Sequence, residues 1–354
     1  MAQHNHFPYL DGWRGLAIVC LLTGHFFPIP GINLGQVGVH LFFVLSGLLM
    51  ARILFIQKAP LGQFYRRRIA RIMPSVYVYL TVVSLLFVLA GQQISLRELL
   101  SAATFTNNYV QAIGPWTMPF GHIWSLSVEE HAYVLLSLLA LATRASRRRS
   151  IVVLAVAATL SAASAGVHYL VLDRAAVAQV WSHSEVAAFG ILASSLLLVV
   201  GAGLPAARDT PASRMLHAAA PTLAPLLLLA GLTMHWWSLA APLRIVGGCA
   251  AFALALHLLH LRPSALRRLF ELAPLRQLGL WSFSLYLWQQ PFYQLVHRQG
   301  LHPVLGLGLA LLVGIAAFYL IEQPARSWLN RRWAARPTPG DAAPVNAAPA
   351  SLAS

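Results

Sequence analysis

Charge is scarce in this chain. Only 10% of its 354 residues are Asp, Glu, Lys or Arg, while 58% are hydrophobic and the mean hydropathy is +0.66. That balance excludes a soluble globular domain and a disordered chain alike, because both need more charge where they meet water. Acidic residues are the rarer sign, 10 against 25 Lys and Arg, leaving a formal charge of +15. The excess is spread over loops rather than gathered into one stripe, so no nucleic-acid partner is expected. The two cysteines, Cys20 and Cys249, both lie inside apolar runs, which excludes a disulfide framework and a thiolate metal site. Also missing are G-x-x-x-x-G-K-[ST], G-x-G-x-x-G, H-E-x-x-H and paired C-x-x-C. Nucleotide hydrolysis, dinucleotide redox chemistry and the common zinc sites are therefore unsupported, and no metal is expected.

Long apolar runs are what the chain has in abundance. About ten are long enough for helices crossing ~30 Å of hydrocarbon, near 13–30, 37–57, 73–91, 124–142, 151–172, 184–203, 219–235, 242–261, 277–297 and 302–323. Pro221 and Pro225 interrupt the start of the seventh. The fold class is all-α, a polytopic membrane protein. Orientation follows from the basic residues, which collect in cytoplasmic loops. Most fall on one side, as in Arg66, Arg67, Arg68 and Arg71, in Arg147, Arg148 and Arg149, and in Arg331 and Arg332; only Arg97, Arg174 and Arg298 fall in the opposite loops. With ten spans both termini are cytoplasmic. The first span is expected to remain in the mature protein, because Met1 to Gly12 contains no Lys or Arg and is no signal n-region. Residues 1–333 read as one membrane domain and 334–354, rich in Ala, Pro and Ser, as a disordered cytoplasmic tail.

Ionisable side chains inside spans are expensive, so each is a candidate for function. Arg14 and His25 lie eleven residues apart on the first span. At 100° per residue they return to within about 20° of one direction, roughly 16 Å apart along the axis. Both therefore face one way at different depths, Arg14 toward the cytoplasm and His25 in the outer half. Histidine can exchange a proton near neutral pH, which suits it to activate a hydroxyl, although a structural imidazole bonded to a neighbouring helix is the alternative.

Further groups sort by depth. The segment His122-Ile-Trp124-Ser125-Leu-Ser-Val-Glu129-Glu130-His131-Ala-Tyr133 sets two carboxylates near the outer end of the fourth span. Consecutive helical residues diverge by 100°, so Glu129 and Glu130 cannot both face one pocket. One is expected to orient a histidine or bind an acceptor, the other to pair structurally. At the inner face, Arg67, Arg68, Arg71 and Arg326 can grip phosphate bidentately, with Glu322 among them; positive-inside loops and anionic headgroups explain the same residues without a ligand. Ser46 and Gly47 permit close helix approach, and His40 is compatible with packing. A loop near 92–123 holds Asn107, Asn108, Tyr109, Trp116 and His122, types that suit sugars and also populate membrane interfaces.

Together these segments resemble the acyltransferase-3 family of integral membrane acyltransferases. The matches run in order: Arg14-x10-His25; Gly38-Val-x-x-Phe-Phe-Val-Leu-Ser-Gly47; Arg67-Arg-x-x-Arg-Ile-x-Pro74; Trp124-Ser-Leu-x-Val-Glu-Glu130 with Tyr133; Ser282 to Pro291; and Tyr319-x-x-Ile-Glu-x-Pro324 with Arg326. The resemblance implies a ten-helix fold moving an acyl group, usually acetyl, from cytoplasmic acyl-coenzyme A to a hydroxyl of an extracytoplasmic or lipid-linked carbohydrate, such as lipopolysaccharide or exopolysaccharide, in a bacterial inner membrane. It implies catalysis by His25 with Arg14 as partner, donor binding by Arg67, Arg68, Arg71, Glu322 and Arg326, and acceptor contacts or packing by Ser46, Trp124, Ser125, Tyr133, Tyr286 and position 289. A Glu129 or Glu130 carboxylate is expected to hold the imidazole tautomer. The partners are then membrane lipids, acyl-coenzyme A and a carbohydrate or glycolipid. Two departures stand out. Gln289 occupies the family's histidine position and cannot act as a base, and Val-Glu-Glu-Gln-Phe-Tyr reads Val-Glu129-Glu130-His131-Ala132-Tyr133. A glycan or lipid transporter, or a non-catalytic family member, are the other readings.

Overall fold

Side chains that are apolar all round a helix leave it no water-facing side, so such helices persist only against lipid or one another. The computed structural model, which describes residues 7–113, 119–144, 146–171, 181–202 and 210–333, is built of them throughout. In chain order they are α1 (Pro8–Phe26), α2 (Leu34–Ala51), α3 (Leu61–Leu89), the short α4 (Leu96–Ala103) and α5 (Asn107–Ile113), α6 (Trp124–Thr143) and α7 (Arg147–Val171). There follow α8 (Ser184–Ala187), α9 (Phe189–Gly201), α10 (Pro211–Thr233), α11 (Gly248–Leu261), α12 (Ala265–Phe270), α13 (Ala273–Gln299), α14 (Pro303–Ala317) and α15 (Gln323–Trp333). π-helical turns prolong α2 over Arg52–Ile56, precede α11 over Leu243–Gly247 and join α14 to α15 over Phe318–Glu322. Among the described residues there is no strand, only an isolated bridge between Ile32 and Trp236. The expected tail 334–354 and Trp116 lie outside the described residues.

Local chemistry sets the helix ends. Asn33 Oδ1 accepts from the Gln36 amide at 3.0 Å at the start of α2, and Thr210 caps α10 ahead of Pro211. Gly300, with φ of 71°, closes α13 in the left-handed conformation that glycine adopts without strain.

Among the described residues eight helices are long and apolar enough to cross a membrane: Leu34–Ile56, Leu61–Leu89, Gly121–Thr143, Arg147–Val171, Ser184–Gly201, Pro211–Thr233, Leu243–Leu261 and Pro303–Trp333. Two of the ten expected spans, α1 and α13, are not among them. These two helices, of 19 and 27 residues, carry Asp11, Arg14 and His25 and Arg276, Gln289 and Gln290. They pack along each other, and α1 also lies against α2. Contact is backbone to backbone: a Cβ at Gly12 would strike the Phe270 carbonyl, one at Gly15 the Leu275 carbonyl, and one at Gly279 the Asp11 carbonyl. Small residues let helices approach this closely where lipid offers no hydrophobic drive.

Three boundaries differ from expectation. The third helix begins at Leu61 rather than 73, which puts Arg66 to Arg71 on the helix instead of in a loop. The first begins at Pro8, with proline in its favoured first turn. The seventh runs from Pro211 and takes Pro221 and Pro225 into its interior.

Candidate functional site

Successive residues of α3 point 100° apart, so its arginines cannot share one task. Arg67 is exposed. Arg68 turns inward, where its Nη2 donates to Glu130 Oε1 at 3.0 Å and its guanidinium carbon sits 3.6 Å from the centroid of the Tyr133 ring. A guanidinium taken out of water needs such partners, one anionic and one aromatic. Glu129 points elsewhere and accepts from Ser46 Oγ at 2.6 Å. On α1, Arg14 Nη1 donates to Asp11 Oδ1 at 2.8 Å, one turn before it. Glu322, in the π-helical turn ahead of α15, is buried and accepts from Ser284 Oγ at 2.6 Å, with Arg71, Arg326 and Arg14 as the cations around it. Arg326 itself is exposed.

Of the residues singled out in the sequence, Arg14, Ser46, Arg68, Arg71, Ser125, Glu129, Tyr133 and Tyr286 line one cavity of about 100 Å³, walled by Phe42, Phe43 and Phe283. It runs from the arginines of α1 and α3 toward the opposite end of the bundle. There Ser125 Oγ lies 2.7 Å from the Tyr286 hydroxyl, which in turn donates to the His122 carbonyl. His122 Nε2 is 3.1 Å from the Leu287 carbonyl, and its buried Nδ1 has no hydrogen-bond partner among the described residues.

His25 does not line this cavity. It sits beside the far end, where its Nδ1 meets Gln289 Oε1 at 3.0 Å, one turn along α13 from Tyr286. The imidazole packs on Tyr293, with ring centroids 4.8 Å apart, and over Gly35, where a side chain would crowd it. Gln289 is fully buried, and its Nε2 donates to Gln290 Oε1 at 3.2 Å, which leaves Oε1 to accept. His25 must then carry its proton on Nδ1, so Nε2 holds the free lone pair.

The expected carboxylate behind His25 is therefore corrected. Glu129 and Glu130 are engaged by Ser46 and Arg68, and the group on the imidazole is the amide of Gln289. Trp124 is buried between Phe43 and Trp181, with centroid separations of 6.0 and 4.4 Å, and does not line the cavity. Asp11, Ser284 and Tyr293 escaped the sequence reading. Asp11 was within reach of it, because i and i+3 of a helix are neighbours. The other two meet their partners across helices, which no spacing reveals.

A family profile described as an acyltransferase domain matches residues 7–322. The chain belongs to the acyltransferase-3 family. It is 28% identical over 361 residues to a protein of Komagataeibacter xylinus named as a candidate membrane-bound transacylase, BcsY, covering 91% of this chain and 83% of that one. It is 26% identical over 356 residues to a candidate peptidoglycan O-acetyltransferase of Bacillus subtilis, YrhL, and 24% over 358 residues to the O-acetyltransferase OatA of Staphylococcus aureus. Each covers 92% of this chain, which spans only 56% and 58% of those relatives. No solved structure matches. The basic and imidazole ends of the site are thus joined by one cavity, apolar along much of its wall, and one turn of α13.

Proposed function

We propose that the protein is a membrane O-acyltransferase that moves an acyl group, acetyl in the first instance, from cytoplasmic acyl-coenzyme A to a hydroxyl of an extracytoplasmic or lipid-linked carbohydrate. The observation that carries this is the cavity: arginines at one end, hydroxyls at the other, and a base with a defined tautomer one turn beyond. In this reading α1 and α13 also cross, giving ten spans of a bacterial inner membrane with both termini cytoplasmic, because the arginine-rich end is the one a positive-inside protein keeps there.

The phosphates of the donor meet Arg71, Arg14 and Arg326. A guanidinium suits them because its fork of donors matches phosphate oxygens, and Arg71 forms no ion pair within 4 Å among the described residues. Arg68 is committed to Glu130 and Tyr133 and shapes the wall. The thioester then extends through the cavity toward Ser125 and Tyr286. His25 Nε2 takes the proton of the acceptor hydroxyl, whose oxygen attacks the acyl carbon. The carbon–sulfur bond breaks, and the thiolate of coenzyme A recovers the proton. Gln289 holds Nδ1–H throughout, doing with a neutral amide what a carboxylate does behind a triad histidine. The acceptor hydroxyl belongs to a carbohydrate in this reading, consistent with relatives named for peptidoglycan.

The reading is tested with the full chain in lipid nanodiscs and labelled acetyl-coenzyme A. Wild-type protein transfers or hydrolyses the label; His25→Ala, eluting as a folded species, does not. Unchanged turnover in that variant sinks the mechanism. Mass spectrometry of surface glycans from cells with and without the protein then names the acceptor.

A further inference from the structure

Glu129 and His131 lie two residues apart on α6, about 200° round the helix. Glu129 faces the cavity, so His131 faces away from it, toward α5 and α8. There its Nδ1 lies 2.7 Å from Ser184 Oγ. Asn108, buried at the start of α5, donates from Nδ2 to the same oxygen at 3.0 Å and to the Ser182 carbonyl at 3.3 Å. The amide occupies one lone pair of the serine oxygen and leaves the hydroxyl proton free to point at the imidazole. The Phe105 carbonyl and the carboxylates of Glu130 and Glu185 lie around the same ring. Phe105 adopts φ of 55°, a left-handed conformation uncommon for a residue with a side chain.

The group opens at the surface. Ser184 and His131 are half-buried, and the exposed Tyr109 stacks on His131 and lies tilted against His183, at 5.9 and 4.9 Å between centroids. Tyr109 also donates to Glu185 Oε2 at 2.9 Å. A serine hydroxyl set against an imidazole nitrogen is the pattern of an activated nucleophile.

We propose that Ser184 is a second acyl station, a nucleophile with His131 as its base and Asn108 as its positioning residue, taking short acyl groups from an activated ester or thioester. Ser184 Oγ attacks the acyl carbonyl carbon as its proton passes to His131 Nδ1. The bond to the donor oxygen or sulfur breaks, and that leaving atom takes the proton. A carbohydrate hydroxyl at the Tyr109 and Glu185 rim then attacks the serine ester by the same steps in reverse. The proposed acyl transfer supplies only the source of the acyl group, so the station is testable apart from it.

The test uses p-nitrophenyl acetate on the full chain in nanodiscs, with peptide mass spectrometry to locate acetyl. The expected result is acetyl on Ser184 in wild-type protein and in His25→Ala, none at that position in Ser184→Ala, and a thioester in Ser184→Cys. In His131→Gln occupancy falls by about 100-fold or more. That variant keeps a hydrogen-bond partner for Ser184 while removing the base, so its loss at an unchanged elution volume is chemical. A folded wild-type protein without acetyl on Ser184, or equal occupancy in His131→Gln, overturns the proposal. Persistence of Ser184 acetylation when His25→Ala retains full coenzyme A turnover overturns the reading of His25 and leaves the station standing.

Discussion

An imidazole is a base only at the nitrogen without a proton, so the group on its other nitrogen decides its chemistry. At His25 that group is the Gln289 amide, 3.0 Å from Nδ1. Gln289→Leu leaves a buried N–H unpaired, a loss of about 1–3 kcal/mol or roughly 5- to 150-fold in turnover when the defect is felt in the transition state. Gln289→Glu keeps an acceptor and is expected to retain more activity than the leucine variant. Equal loss in both, measured as kcat with labelled acetyl-coenzyme A, counts against the tautomer argument. Arg68 is a different case, since its role is structural in the wall. Arg68→Ala strands Glu130 in the bundle, and the expected destabilisation is about 3–5 kcal/mol, largely relieved when Glu130→Ala is added. Thermal unfolding of the two variants in detergent reads this directly. Arg71→Ala leaves Glu322 with Arg14, Arg326 and its hydrogen bond from Ser284, and is expected to raise KM for acyl-coenzyme A while changing kcat little. At this scale His25, Arg14 and the arginines of α3 were legible in the sequence as ionisable groups on apolar segments. The partner of His25 was not, because 264 residues separate it from Gln289 and only the packing of α1 on α13 joins them.

That packing is the decisive element-level feature. Gly15 and Gly279 bring the two backbones together, and a Cβ at Gly279 would occupy the space of the Asp11 carbonyl. Gly279→Ala is therefore expected to push α13 from α1, with a stability loss of about 1–3 kcal/mol and a displaced Gln289. Gly308, which a Cβ would meet in open space, is the control. A midpoint shift at Gly279 no larger than at Gly308 refutes the close approach. The same two helices explain why ten apolar runs become eight helices that are apolar over a full crossing length among the described residues. A helix that buries arginine, histidine and glutamine against its neighbours loses average apolarity, so α1 and α13 fall short of that measure. On α3 the reverse holds, because its helix runs past its apolar stretch and carries Arg68 and Arg71 to the cavity wall.

Across the whole molecule, the basic residues collect at the end where Lys58 Nζ reaches the Arg144 carbonyl at 3.2 Å and Arg147 reaches the carbonyls of Val199 and Val200. In the proposed topology that end is cytoplasmic. Reporters inserted after Arg298 and after Trp333 are expected on opposite sides of the membrane, the second facing the cytoplasm. Both on one side would mean that α14 with α15 does not cross. The polar residues of the two ends are then held apart by helix length, and in the proposed mechanism the cavity between them is the route of the acyl group.

Composition and apolar run length alone determined that this is an all-helical membrane protein, because a chain with so few charges cannot clothe a soluble surface. Ordered motifs along nearly the whole chain pointed to its family, which the match over residues 7–322 bears out. Only the tertiary structure decided which polar groups meet. It gave Glu130 to Arg68, Glu129 to Ser46, Gln289 to His25 and Ser184 to His131. Hydropathy reports how each helix faces lipid, averaged over its length, whereas a hydrogen bond depends on the rotation and depth of two helices at once, which are properties of the pair.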